Sequence, residues 1–121
     1  MKLPSRILSL SLVLLLPAAR INAHGFLEHS DPSVGSKVHS APMAVRIWFT
    51  EAIEPRLSSI QVFDATGKQV DKKDTRSDPS NRSQLQVSLP RLEPGSYKVI
   101  WRIVSVDTHR TNGDFRFQIL P

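Results

Sequence analysis

Cysteine is absent from the 121 residues, which excludes a disulfide framework and every thiolate site for zinc or Cu(I). Any metal site in this chain must be built from His, Met, Asp and Glu. Methionine is also scarce: Met1 and Met43 are the only two. Long apolar runs are missing, since Ile7 to Leu16 gives about 10 residues, half of the roughly 20 a spanning helix needs. Lys and Arg form no stripe and aromatics make up only 7%, so the chain lacks the basic, aromatic-studded surface of a nucleic-acid binder. A G-x-S-x-G elbow is absent as well, which removes one common architecture for hydrolysis.

What is present begins with an export signal. Lys2 and Arg6 precede the apolar run, Pro17 follows it, and the small residue Ala23 stands just before His24. That charged, apolar and small-residue order predicts a signal peptide over residues 1–23, cut between Ala23 and His24, and a single domain over 24–121. Ala18 and Ala19 are competing cut sites. The signal would take Lys2, Arg6 and Arg20 with it, leaving 13 basic against 11 acidic residues and a net charge near +2. Much of the basic character of the whole chain therefore belongs to the signal.

From His24 onward the hydrophobic pattern has period two, the period of strands. Val45, Ile47 and Phe49 alternate with polar or larger neighbours, as do Ile60 and Val62, then Leu85, Val87 and Leu89. The longest run puts Tyr97, Val99, Trp101 and Ile103 on one face, and Phe115, Phe117 and Ile119 repeat the pattern in the last strand. Thr66-Gly67, Glu93-Pro94-Gly95 and Asn112-Gly113 read as turns, with Pro32, Pro42, Pro55 and Pro90 punctuating elsewhere. The segment Asp71 to Arg82, charged and aperiodic, reads as an exposed loop. About seven short strands predict an all-β fold: a small antiparallel Greek-key barrel or sandwich of immunoglobulin-like outline.

The chemistry concentrates at His24 and at the end of the longest strand. An N-terminal His offers its free amine and its imidazole to one metal, the nitrogen donors that tetragonal Cu(II) prefers. Continuing the odd parity of the long strand brings Ser105, Asp107 and His109 to the inward side. There a carboxylate must reach water at the rim or find a partner. Asp107 and His109 alone equally fit a polar turn leading into Asn112-Gly113. Together with His24 they supply an amine, two imidazoles and a carboxylate, a set that suits one Cu(II). His29 and His39 read as exposed. Asp71, Asp74 and Asp78 lack the spacing of an EF-hand loop.

Beyond these patterns the chain resembles the CopC family of periplasmic copper-binding proteins. The likeness rests on His24-Gly25-Phe26-Leu27, Ser30-Asp31-Pro32, Ala41-Pro42, Val45 to Pro55, Leu92 to Tyr97, Trp101 to His109 and Gly113 to Phe117. It implies a small β-barrel holding Cu(II) through His24, Asp107 and His109, with Glu51 as a ligand or a hydrogen-bonding neighbour of the metal. A membrane partner of the CopD type is implied with it. Two positions depart from the family pattern: Thr108 stands where Gly is usual, and Arg110 where Pro is usual. Met43 alone cannot build the Met-rich Cu(I) site of some members.

These observations predict a periplasmic, monomeric, non-enzymatic protein that binds one Cu(II) and no nucleic acid, in copper resistance, homeostasis or delivery. Two alternatives compete. One is a copper-dependent oxidase using an N-terminal His brace, as in lytic polysaccharide monooxygenases. The other is a metal-free immunoglobulin-like module for adhesion or assembly.

Overall fold

A computed structural model describes residues 27–121. The chain forms eight strands: β1 (Leu27–Asp31), β2 (Lys37–Val38), β3 (Ala44–Phe49), β4 (Ser59–Phe63), β5 (Arg76–Asp78), β6 (Asn81–Ser88), β7 (Gly95–Val104) and β8 (Arg110–Ile119). They make two four-stranded sheets, ordered β1-β3-β6-β5 and β2-β8-β7-β4. The result is an open sandwich, the second of the two expected all-β forms. A single 3-10 turn, Pro55–Leu57, is the one helical element among the described residues.

Alternation along each strand builds the core as the sequence predicts. Val45, Ile47 and Phe49 from one sheet meet Tyr97, Val99, Trp101, Ile103, Phe115, Phe117 and Ile119 from the other in a single buried cluster. Trp101 packs edge-on against Phe49, ring centres 5.4 Å apart. Tyr97 stacks on Phe117 and donates its hydroxyl to the Glu93 carbonyl at 2.5 Å, tying the strand to the turn before it. Immunoglobulin-like sandwiches use the same tyrosine device.

Four expectations need correction. Strand β2 runs parallel to β8, so the sandwich is not wholly antiparallel, and at two residues β2 is too short to show any periodicity. Asn112-Gly113 is not a turn but part of β8, with Gly113 paired to Trp101. Gln84, one of the polar residues that alternate with Leu85, Val87 and Leu89 in the sequence and are therefore expected to face outward, is buried beside Leu85.

Finally, Asp71 to Arg82 is not a plain solvated loop: it contains β5 and the start of β6, and Asp71 is buried. The Asp71 carboxylate accepts from the backbone N–H of Val62 (2.8 Å) and of Lys73 (2.9 Å) and from the Gln69 amide. Thr75 accepts from Ile60 N at 3.2 Å, and Val70 N donates to Val62 O at 2.8 Å. Together these groups cover the outer edge of β4, which would otherwise offer an unpaired ladder to another chain.

Candidate metal centre

The β7–β8 ladder runs without interruption to its last pair, Val104 with Arg110. Ser105 to His109 then close the hairpin. Ser105 N donates to His109 O and Thr108 N to Ser105 O, both at 2.9 Å, and Thr108 takes the left-handed conformation at φ 71°. Ser105 is only 1% exposed, and its hydroxyl ties the loop together from beneath. Oγ donates to Asp107 Oδ1 and accepts from His109 N at 3.1 Å.

Glu51 arrives from elsewhere in the chain. The segment after β3 is zipped to the hairpin end by a bridge between Ile53 and Ser105. Val106 N donates to Ala52 O at 3.0 Å, and Glu54 N to Val104 O at 2.9 Å. These bonds hold Glu51 beside the loop, and one ligand atom from each of Glu51, Asp107 and His109 lies within 4.8 Å of the others. His109 Nδ1 stands 3.3 Å from Asp107 Oδ2 and 3.9 Å from Glu51 Oε2. The side chains of His109 and Asp107 are 64% and 55% exposed, so the cluster opens to solvent at the rim of the sandwich.

The electrostatics of the loop favour an ionised carboxylate. The Ser105 hydroxyl holds the Asp107 carboxyl below the ordinary carboxylate range, outweighing a small desolvation, with the neighbouring His109 acting in the same direction. Glu51 Oε2 is buried and accepts no hydrogen bond from the described residues. A buried carboxylate oxygen without a donor is costly unless a cation or proton meets it. A cation held where the two carboxylates and the imidazole converge would meet that need, and the oxygen and nitrogen donors form a set compatible with Cu(II).

Of the sequence-predicted ligands, Asp107, His109 and Glu51 are thus brought together. His24 and the signal segment 1–23 lie outside the described residues. His29 stays apart, stacked on Trp48 at 4.4 Å and facing Glu28, and His39 is exposed and outside the cluster. Asp74 and Asp78 receive donors from nearby Ser88 and Ser80. Sequence reasoning placed Ser105 on the inward side of the long strand and gave it no role at the metal. Its hydroxyl is buried and committed to Asp107, so its role is to hold the loop. A hydroxyl residue two positions before an Asp at a strand end was the available signal.

Comparison with known proteins covers both the sandwich and this loop. A sequence model described as the CopC domain matches residues 27–120. Protein YobA of Escherichia coli K12 is 32% identical over 98 residues, spanning 80% of this chain and 79% of that protein. Copper resistance protein C of Xanthomonas campestris pv. juglandis is 31% identical over 110 residues, 86% of each chain. The crystal structure of CopC from Methylosinus trichosporium OB3b superposes with a TM-score of 0.75 at 33% identity, covering 79% of this chain and 93% of that one. With the domain match running from β1 past the end of β8, the chain belongs to the CopC family.

Proposed function

We propose that this protein binds one Cu(II) outside the cytoplasm, in the periplasm, and carries or buffers it in copper resistance, homeostasis or delivery. The observation that carries this reading is the convergence of Glu51, Asp107 and His109 around a buried carboxylate oxygen that accepts no hydrogen bond from the described residues. Copper is cargo here, not the cofactor of a reaction. The His24 amine and imidazole, Asp107 and His109 are its ligands, and Glu51 stands beside it as a further ligand or hydrogen-bonding neighbour. Ionised Asp107 contributes charge, the loop bonds of Ser105 fix its direction, and the open rim lets the ion enter and leave. A membrane transporter of the CopD type would receive it.

Family membership supports the copper reading, through relatives named for copper resistance. The oxidase alternative finds no supporting feature: a second carboxylate beside the imidazole fills coordination space that oxygen would need. Met43 is 85% exposed and precedes β3, whose far end leads to Glu51. At about 3.3 Å per residue the length of that strand separates it from the cluster, so no Cu(I) site forms there.

The test is a competitive Cu(II) titration with EPR on two proteins, one starting at His24 and one with a single extra residue before it. Tight one-to-one binding confined to the first, with a nitrogen-rich tetragonal spectrum, is expected. Its affinity falls as pH drops, because the N-terminal amine, with an ordinary pKa of about 7.7–8.0, must lose a proton to bind. Equal binding by both proteins, or an affinity independent of pH from neutrality to about 5, would remove His24 from the site.

A further inference from the structure

The outer face of the β2-β8-β7-β4 sheet is predominantly basic. Inward residues on β7 and β8 alternate with Lys98 and Arg102 on one strand and Arg110 and Arg116 on the other, and Lys37 of β2 joins them beside Gln118. Asp114 is the one acid among these outward strand positions. None of the five cations has an ion pair among the described residues; Arg102 reaches only the Gln61 amide oxygen, at 2.9 Å. Lys98 and Arg116 stand directly opposite each other in the ladder and line one shallow cleft. Like charges in that position oppose folding. The other sheet is mixed: Asp31 faces Arg46, and Arg76 is bonded to Asp74 at 2.8 Å.

We propose that this face docks on an anionic phospholipid surface. A protein partner would need apolar or aromatic anchors at the centre of the contact. The fully exposed large apolar side chains, Val34, Met43, Leu57 and Val106, all lie off the strands of this sheet; on the face itself only the half-buried Phe63 and Ile100 line the cleft beside Lys98 and Arg116, too little apolar surface for such a centre. Lipid headgroups need only the charge, and each Lys or Arg held near them raises partitioning roughly fivefold. Because the metal loop joins β7 to β8, docking on this face would set the rim cluster close to the membrane plane. The proposal is independent of which ion the cluster binds.

The test is co-sedimentation of the protein, purified as it accumulates after export, with vesicles of phosphatidylcholine and phosphatidylglycerol in a three-to-one ratio. Pure phosphatidylcholine vesicles serve as the control. Binding to the anionic vesicles alone is expected, abolished at about 1 M salt, where screening is nearly complete. Lys98→Glu with Arg116→Glu should lower partitioning by more than about tenfold, while Arg46→Glu with Arg82→Glu on the other sheet leaves it nearly unchanged. Lys98→Glu alone should weaken binding yet raise the Tm by a few degrees, because it replaces a repulsive cross-strand pair with an attractive one. This opposition separates docking from a folding defect. If the double variant fails to fold, Lys37→Glu with Arg102→Glu takes its place. Absence of binding, or equal loss from both sheets, would overturn the proposal. So would binding of poly-glutamate through Lys98 and Arg116 without binding of vesicles, since the face would then serve an acidic protein.

Discussion

Thr108, between the two loop ligands, is the residue whose replacement tests the loop most directly. Its φ of 71° is a conformation that costs an L residue about 1–2 kcal/mol, because Cβ crowds the following carbonyl. Glycine escapes that cost but gives up about 0.5–1 kcal/mol through its greater freedom in the unfolded chain. The net gain of glycine over alanine at position 108 is therefore about 0.5–1 kcal/mol. The Thr108 hydroxyl also donates to the Asp107 carbonyl at 2.6 Å; Thr108→Ala removes that bond while keeping the Cβ, so it isolates the hydroxyl. For a domain of this size each kcal/mol moves Tm by about 4–8 °C. Thr108→Gly should then melt about 2–8 °C above Thr108→Ala in the metal-free protein. The Cu(II) affinities of the two should differ little, because Ser105 still fixes Asp107 and His109. A glycine variant that melts below the alanine variant would refute the strain argument and, with it, the claim that the loop keeps this backbone conformation in solution.

Three further outcomes follow from the same geometry. Asp71→Ala strands the buried Val62 N–H and should lower stability by about 2 kcal/mol, seen as a drop in urea midpoint at unchanged m; a change under about 0.5 kcal/mol would return the segment to a solvated loop. Asp64 is held below the ordinary carboxylate range by the Thr66 hydroxyl and then by the Lys68 N–H. Its stabilisation is complete above the unfolded value of about 3.9 and fades as pH falls through the lower folded value. The stability gap between wild type and Asp64→Asn, compared by urea midpoints at neutral and strongly acid pH, should accordingly close in acid; a constant gap would refute the assignment. Ser105→Ala should weaken Cu(II) binding about 10–100-fold, as removal of a metal ligand's supporting hydrogen bond commonly does, and change the EPR spectrum, whereas unaltered affinity would make Ser105 a purely structural residue.

The sequence made the sandwich legible wherever one local rule decided the outcome. Odd positions from Tyr97 to Ile103 are buried because the pleat alternates and nothing interrupts β7. Where two rules competed, the longer-range one prevailed. Asn112-Gly113 carries a strong hairpin signal, yet both residues are paired within β8, Asn112 with Arg102 and Gly113 with Trp101, and the chain turns earlier, at Ser105 to His109. Asp71 looked solvated because its partner, the exposed edge of β4, lies outside any local window.

The candidate site divides along the same line. Asp107 and His109 are near in sequence, and their spacing suggests the pairing; the parity argument fails, because β7 ends at Val104 and both side chains are exposed in the closing loop rather than on the inward face. Glu51 could be placed only by resemblance, since no local pattern connects it with a hairpin more than fifty residues later. What joins them is the bridge from Ile53 to Ser105, and Ser105 serves both sides of that junction. Its backbone seals the sandwich while its hydroxyl directs Asp107 and His109 outward. The cluster consequently sits where the ladder ends, rigid from below and open above, the arrangement a protein needs if it is to hold an ion in fixed geometry and still release it.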